Sequence, residues 1–133
     1  MSIKVIKMEL KGIITSGKGK GAYFMSQTVY QEQFKEKLNF SPFLGTLNIK
    51  INDEEINKLH RVPESMMTNI EGREKFGDVL LIKAVLNDKI EGAIVFPKKT
   101  THKENIIEFI AAENVKEELG IKDGDNVKII LEY

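Results

Sequence analysis

The chain has no cysteine and no tryptophan, only two histidines and three prolines in 133 residues, and no net charge. Without cysteine there is no disulfide, no thiolate metal site and no cysteine nucleophile. His60 and His102 are too few for a histidine-rich metal centre. The 20 Lys+Arg are offset by 20 Asp+Glu, so the positive excess of a protein that coats nucleic acid is missing. No apolar run approaches the ~18 residues of a membrane-spanning helix. Met1-Ser2-Ile3-Lys4 also lacks the apolar core of a secretory signal. The expectation is one soluble, cytoplasmic, monomeric domain over residues 1–133, with no membrane or nucleic-acid partner.

Hydrophobic residues make up 41% of the chain, enough for a real core at this length. Charge is uneven: residues 1–50 carry 8 basic and 3 acidic side chains, residues 51–133 carry 12 and 17. The basic excess falls in the same part as the only glycine-rich stretch. Residues 3–15 read as β structure with a break at Gly12. Tyr23–Met25 could be a short strand. Gln27–Leu38 has apolar Val29, Tyr30, Phe34 and Leu38 at helical spacing, with Ser26 as N-cap and Pro42 beyond its end. Gly45–Ile51 alternates like a strand. Asn52 looks like the cap of a helix over Asp53–His60, and residues 61–78 look irregular. Val79–Leu86 and Ile90–Phe96 read as a hairpin, Ile106–Ala111 and Val127–Leu131 as strands, and Glu113–Leu119 as one or two helical turns ending at Gly120. Six or seven strands with two or three short helices predict a mainly β, closed or nearly closed barrel rather than a layered α/β fold.

Three segments could carry chemistry. In Gly17-Lys18-Gly19-Lys20-Gly21-Ala22-Tyr23, alternating glycines permit converging N–H groups, and two lysines add positive charge for an anion. It is neither a Walker loop nor a dinucleotide fingerprint, and a solvated hairpin tip would look the same. In Gly45-Thr46-Leu47-Asn48, Thr46 and Asn48 lie two apart and project to one face. Their neutral oxygens suit a hard cation that draws most of its charge compensation from substrate phosphates, though a plain polar strand face reads identically. Glu108 lies between Ile107 and Phe109, on the opposite face of its strand, either solvent-facing or placed in a site.

Four blocks taken in order resemble the archaeal-type CTP-dependent riboflavin kinases. They are Ser16–Phe24, Pro42–Asn48, Gly92–His102, and Ile106–Ala111 running on to Leu119-Gly120-Ile121-Lys122-Asp123-Gly124-Asp125. The Gly-Thr-Leu-Asn block is the most specific. The resemblance implies a six-stranded cradle-loop β-barrel similar to riboflavin synthase domains, and transfer of the γ-phosphoryl group of CTP to riboflavin, giving FMN and CDP. Carried over by position, Lys18, Gly19, Lys20, Gly21, Ala22 and Tyr23, with Glu113, Asn114, Val115 and Lys116, would hold the nucleotide. Thr46 and Asn48 would bind Mg2+, and Thr100 and Glu108 would contact the flavin. Met66 and Met67 could line the flavin slot. The chain departs from the family pattern at Ala112, Lys116 and Thr101, where proline, arginine and histidine are common. Two other functions fit the same pattern: a swapped-hairpin DNA-binding barrel, and a flavin carrier without kinase activity.

Overall fold

The computed structural model describes residues 5–16, 28–43, 45–72, 77–97 and 105–133. In chain order these form β1 (Lys7–Thr15), α1 (Thr28–Leu38), β2 (Leu47–Lys50), α2 (Asp53–His60), β3 (Thr68–Ile70), β4 (Val79–Leu86), β5 (Ile90–Pro97), β6 (Ile106–Ala111), α3 (Val115–Leu119) and β7 (Asn126–Glu132). A 3-10 turn at Glu64–Met66 precedes β3. Neighbouring strands run β3-β4-β5-β6-β2-β1-β7, and β4 also pairs with β7. Every pairing is antiparallel. The β4–β7 contact closes six strands into a barrel, and β3 takes the stretch of β4 that β7 leaves unpaired.

Period-two alternation decides what goes inside. Leu10, Ile14, Ile49, Ile94, Phe109, Ile129 and Leu131 point inward and are buried. The outer face of β3 to β6 is apolar as well, and α1 seals it. Tyr30, Phe34 and Leu38 pack there on Ile70, Val79, Leu81, Ala93, Val95 and Ile110. Burying one such large side chain stabilises by about 1.5–3 kcal/mol, so the α1 contact contributes substantially to the stability of this wall.

Gly12 does not break β1 as its sequence suggested. A Cβ there would lie 2.4 Å from Ile49 Cγ2 and 2.9 Å from the Lys50 carbonyl oxygen. The glycine permits close approach of β2 while the strand runs on through it. α1 ends at Leu38, where Asn39 turns left-handed with φ 63°, so the stop comes before Pro42. Residues 61–78 are not wholly irregular, because β3 lies among them; three residues are too few to show alternation. The hairpin between β4 and β5 turns at Asn87 and Asp88, with φ 50° and 58°, the paired left-handed geometry of a tight turn. Asn52 caps α2 as expected, its Oδ1 accepting the Glu55 N–H at 3.0 Å. Glu55, only 6% exposed, in turn accepts the Lys11 N–H at 3.0 Å, satisfying the edge of β1 beyond the end of β2.

Candidate active site

Strand register lines up one transverse row across the outer wall: Thr15, Asn48, Glu108, Val95, Leu81 and Thr68. Residues directly opposite in an antiparallel pair share a face. The Val95–Leu81 half of the row lies under α1, while the Thr15–Asn48–Glu108 half is polar and only half-buried. Thr46 joins that half, its Oγ1 donating to Glu108 Oε1 at 3.1 Å. The chain before β2 folds back to place Thr46: the Phe43 N–H bonds the Ala111 carbonyl at 2.7 Å, and the Gly45 N–H bonds the Phe43 carbonyl at 2.8 Å. A hydroxyl, an amide and a carboxylate are thus gathered at the margin of an apolar surface.

A second cluster is built around Asp123. Its carboxylate accepts from Lys116 Nζ at 2.8 Å and from the Ser16 hydroxyl. These hydrogen bonds, Lys116 first and Ser16 second, hold the Asp123 carboxyl below the usual carboxylate range. Backbone bonds fix the same turn to β1: the Gly124 N–H to the Ile14 carbonyl at 2.8 Å, and the Ile14 N–H to the Asp125 carbonyl at 2.9 Å. Around α3, Asn114 is the N-cap, accepting from the Glu117 N–H at 3.4 Å. Val115 is buried in the barrel core and offers a ligand only its backbone, whereas Glu113 is exposed. Gly120, at φ 64°, ends the helix as expected.

Both clusters meet the end of β1, where Thr15 is paired with Asn48 and Ser16 is bonded to Asp123. The structure therefore brings Thr46, Asn48 and Glu108 together, and sets Lys116 beside the residue that leads into the glycine-rich stretch. Lys18, Gly19, Lys20, Gly21, Ala22, Tyr23 and Thr100 lie outside the described residues, as do the expected Tyr23–Met25 strand and the Ser26 cap. Met67 packs against the barrel core, whereas Met66 is 46% exposed. Sequence reading gave no role to Thr15 or Asp123. Thr15 becomes visible only through register, and Asp123 only through the fold-back of its turn.

A groove of about 820 Å3 lies elsewhere on the wall, lined by Lys11, Lys50, Asn52, Asn105 and Lys128 among others. None of the candidate site residues among the described ones lines it. Among the described residues no three His, Asp or Glu side chains gather as a metal cluster. The Thr46–Asn48–Glu108 set is of another kind, all hard oxygen donors with a single carboxylate.

By architecture the chain is a small closed antiparallel β-barrel with a polar cluster on its outer wall. Residues 14–131 match the sequence model of the CTP-dependent riboflavin kinase family, described as "Domain of unknown function DUF120". A riboflavin kinase of Methanobrevibacter smithii is 44% identical over 122 residues, covering 92% of this chain and 98% of that protein. One from Methanothermobacter thermautotrophicus is 49% identical over 114 residues, covering 86% and 91% respectively. One from Methanosphaera stadtmanae is 37% identical over 130 residues, covering 94% and 98%. The chain belongs to the CTP-dependent riboflavin kinase family, and it is an enzyme of the kinase class. That decides for the kinase over the DNA-binding barrel and the passive flavin carrier. Among the described residues no helix is long and apolar enough to cross a membrane.

Proposed function

We propose that residues 1–133 form one kinase domain that transfers the γ-phosphoryl group of CTP to the 5′-hydroxyl of riboflavin. The hydroxyl oxygen forms the new P–O bond, the bond from the γ-phosphorus to its bridging oxygen breaks, and the hydroxyl proton is released. FMN and CDP result. The observation that carries this reading is the gathering of Thr46, Asn48 and Glu108 beside the end of β1. From there the chain enters Gly17-Lys18-Gly19-Lys20-Gly21.

Phosphoryl transfer asks mainly for positioning and charge neutralisation. Lys18, Gly19, Lys20, Gly21, Ala22 and Tyr23 supply N–H groups and charge for the phosphates. Glu113, Asn114, Val115 and Lys116 flank the base, offering backbone groups and exposed polar side chains. The donor set of Thr46 and Asn48 fits Mg2+, which prefers hard oxygens and keeps several positions for water and substrate phosphate. When bound, the ion neutralises phosphate charge. Glu108, held by Thr46 at the apolar margin, orients the flavin's ribityl hydroxyls, with Thr100 as a second flavin contact. A largely dissociative transfer asks little of a base, so orientation is its role here.

Incubating the purified protein with riboflavin, Mg2+ and either CTP or ATP, and following FMN by chromatography, tests the reading. FMN formation with a clear preference for CTP at subsaturating nucleotide is the expected result. Equal turnover with ATP removes the donor assignment, and absence of FMN with both removes the reaction.

A further inference from the structure

The Asp123-Gly124-Asp125 turn lies outside every role assigned above, yet it ties Ser16, which precedes one part of the proposed nucleotide site in sequence, to Lys116 in the other. Asp123 holds the Ser16 hydroxyl at the end of β1 and the Lys116 ammonium on α3. Ser16 immediately precedes Gly17, and Lys116 ends the Glu113–Lys116 segment.

We propose that Asp123 is a positioning residue for nucleotide binding, orienting Lys116 and fixing the exit of β1 before nucleotide arrives. This rests on the reading of Lys18–Tyr23 and Glu113–Lys116 as the nucleotide site. Magnitudes favour a ligand-directed role over a stabilising one. The Lys116–Asp123 pair is exposed on both sides, 42% and 46%, and exposed ion pairs add little to folding. The backbone bonds between Ile14 and the turn already hold the two segments together without the carboxylate. What Asp123 adds is direction. A free lysine side chain samples many rotamers, and ordering it before binding lowers the cost of binding.

Charge and positioning predict opposite signs. Asp123 is an anion beside a proposed phosphate or base contact, so on charge alone Asp123→Asn should free Lys116 and tighten CTP binding. If Asp123 acts by positioning, Asp123→Asn should weaken CTP binding by about two- to fivefold, the most that ordering by an exposed ion pair can return. Riboflavin affinity and turnover at saturating CTP should stay near parental. Ser16→Ala keeps the ion pair and removes only the hydroxyl link; it should weaken CTP binding in the same direction. The double variant should fall short of the sum of the two single losses, since the Ser16 and Lys116 bonds share the Asp123 carboxylate. Asp88→Asn, which breaks the exposed pair with Lys128 on the β4–β5 hairpin, is the control for a general charge effect.

The experiment is calorimetric titration of each purified variant with CTP, beside its thermal unfolding curve. Weakened binding in Asp123→Asn and Ser16→Ala, with unfolding midpoints and the Asp88→Asn control unchanged, supports the proposal. Tighter or unchanged CTP binding in Asp123→Asn overturns it while leaving the nucleotide site in place. Should Asp123→Asn not fold, Ser16→Ala decides by the same criterion. A parental protein that does not bind CTP overturns the nucleotide reading, and this inference with it.

Discussion

The two halves of the barrel's outer wall are built on the same strand rows and spend their side chains differently. Under α1, Leu81, Ala93, Val95 and Ile110 are fully covered by Tyr30, Phe34 and Leu38. One register step away, Asn48 and Glu108 occupy equivalent positions on β2 and β6, and they remain half-exposed. The first half removes apolar area from water; the second keeps three kinds of oxygen within reach of a ligand. On the proposed function, stability and chemistry are thereby separated along a single sheet, and substitutions in the two halves should fail in different ways.

Phe34→Ala should have the largest effect. The ring is fully buried, and removing a buried Phe typically costs about 3–5 kcal/mol. Chemical denaturation should show that loss, while turnover per folded molecule stays near parental. A matching loss of turnover in the folded protein would mean that α1 belongs to the site.

Thr46→Val comes next and reverses the pattern. It keeps the shape and removes the oxygen that bonds Glu108. Turnover should fall by about 100-fold, as for loss of a group that orders a metal site. The unfolding midpoint should hardly move, because the position is half-exposed.

Glu108→Gln sharpens the comparison within the polar half. If Glu108 orients the flavin, riboflavin binding should weaken by about tenfold with turnover at saturation largely kept. A fall in saturated turnover of roughly 10²–10⁴-fold would instead mark it as the general base.

The smallest effect lies outside both halves. Asn52→Ala removes the α2 cap seen at Glu55 and should lower stability by about 1 kcal/mol, with FMN formation unaffected. A loss of activity would connect α2, and the groove beside it, to catalysis.

Much of this division was legible in the sequence. Alternation marked β2 and apolar runs marked the other strands, the Asn52 cap marked α2, and the spacing of Thr46 and Asn48 put both on one face. The i, i+2 rule is local, so it survives folding unchanged. What was not legible depends on contacts between distant segments. β3 exists because β4 offers it an edge, and Gly12 reads as a break until Ile49 is seen against it. Thr15 enters only through its pairing with Asn48. Asp123 acquires its partners only when folding brings Ser16 and Lys116 to it.

The most direct test of the separation is Asn48→Leu, followed in parallel by FMN formation across a Mg2+ titration, riboflavin binding by flavin fluorescence, and thermal unfolding. Turnover should be lowered at every Mg2+ concentration, with riboflavin affinity and unfolding midpoint close to parental. Near-parental turnover throughout the titration would contradict it, and would return Thr46 and Asn48 to a polar strand face exposed to water.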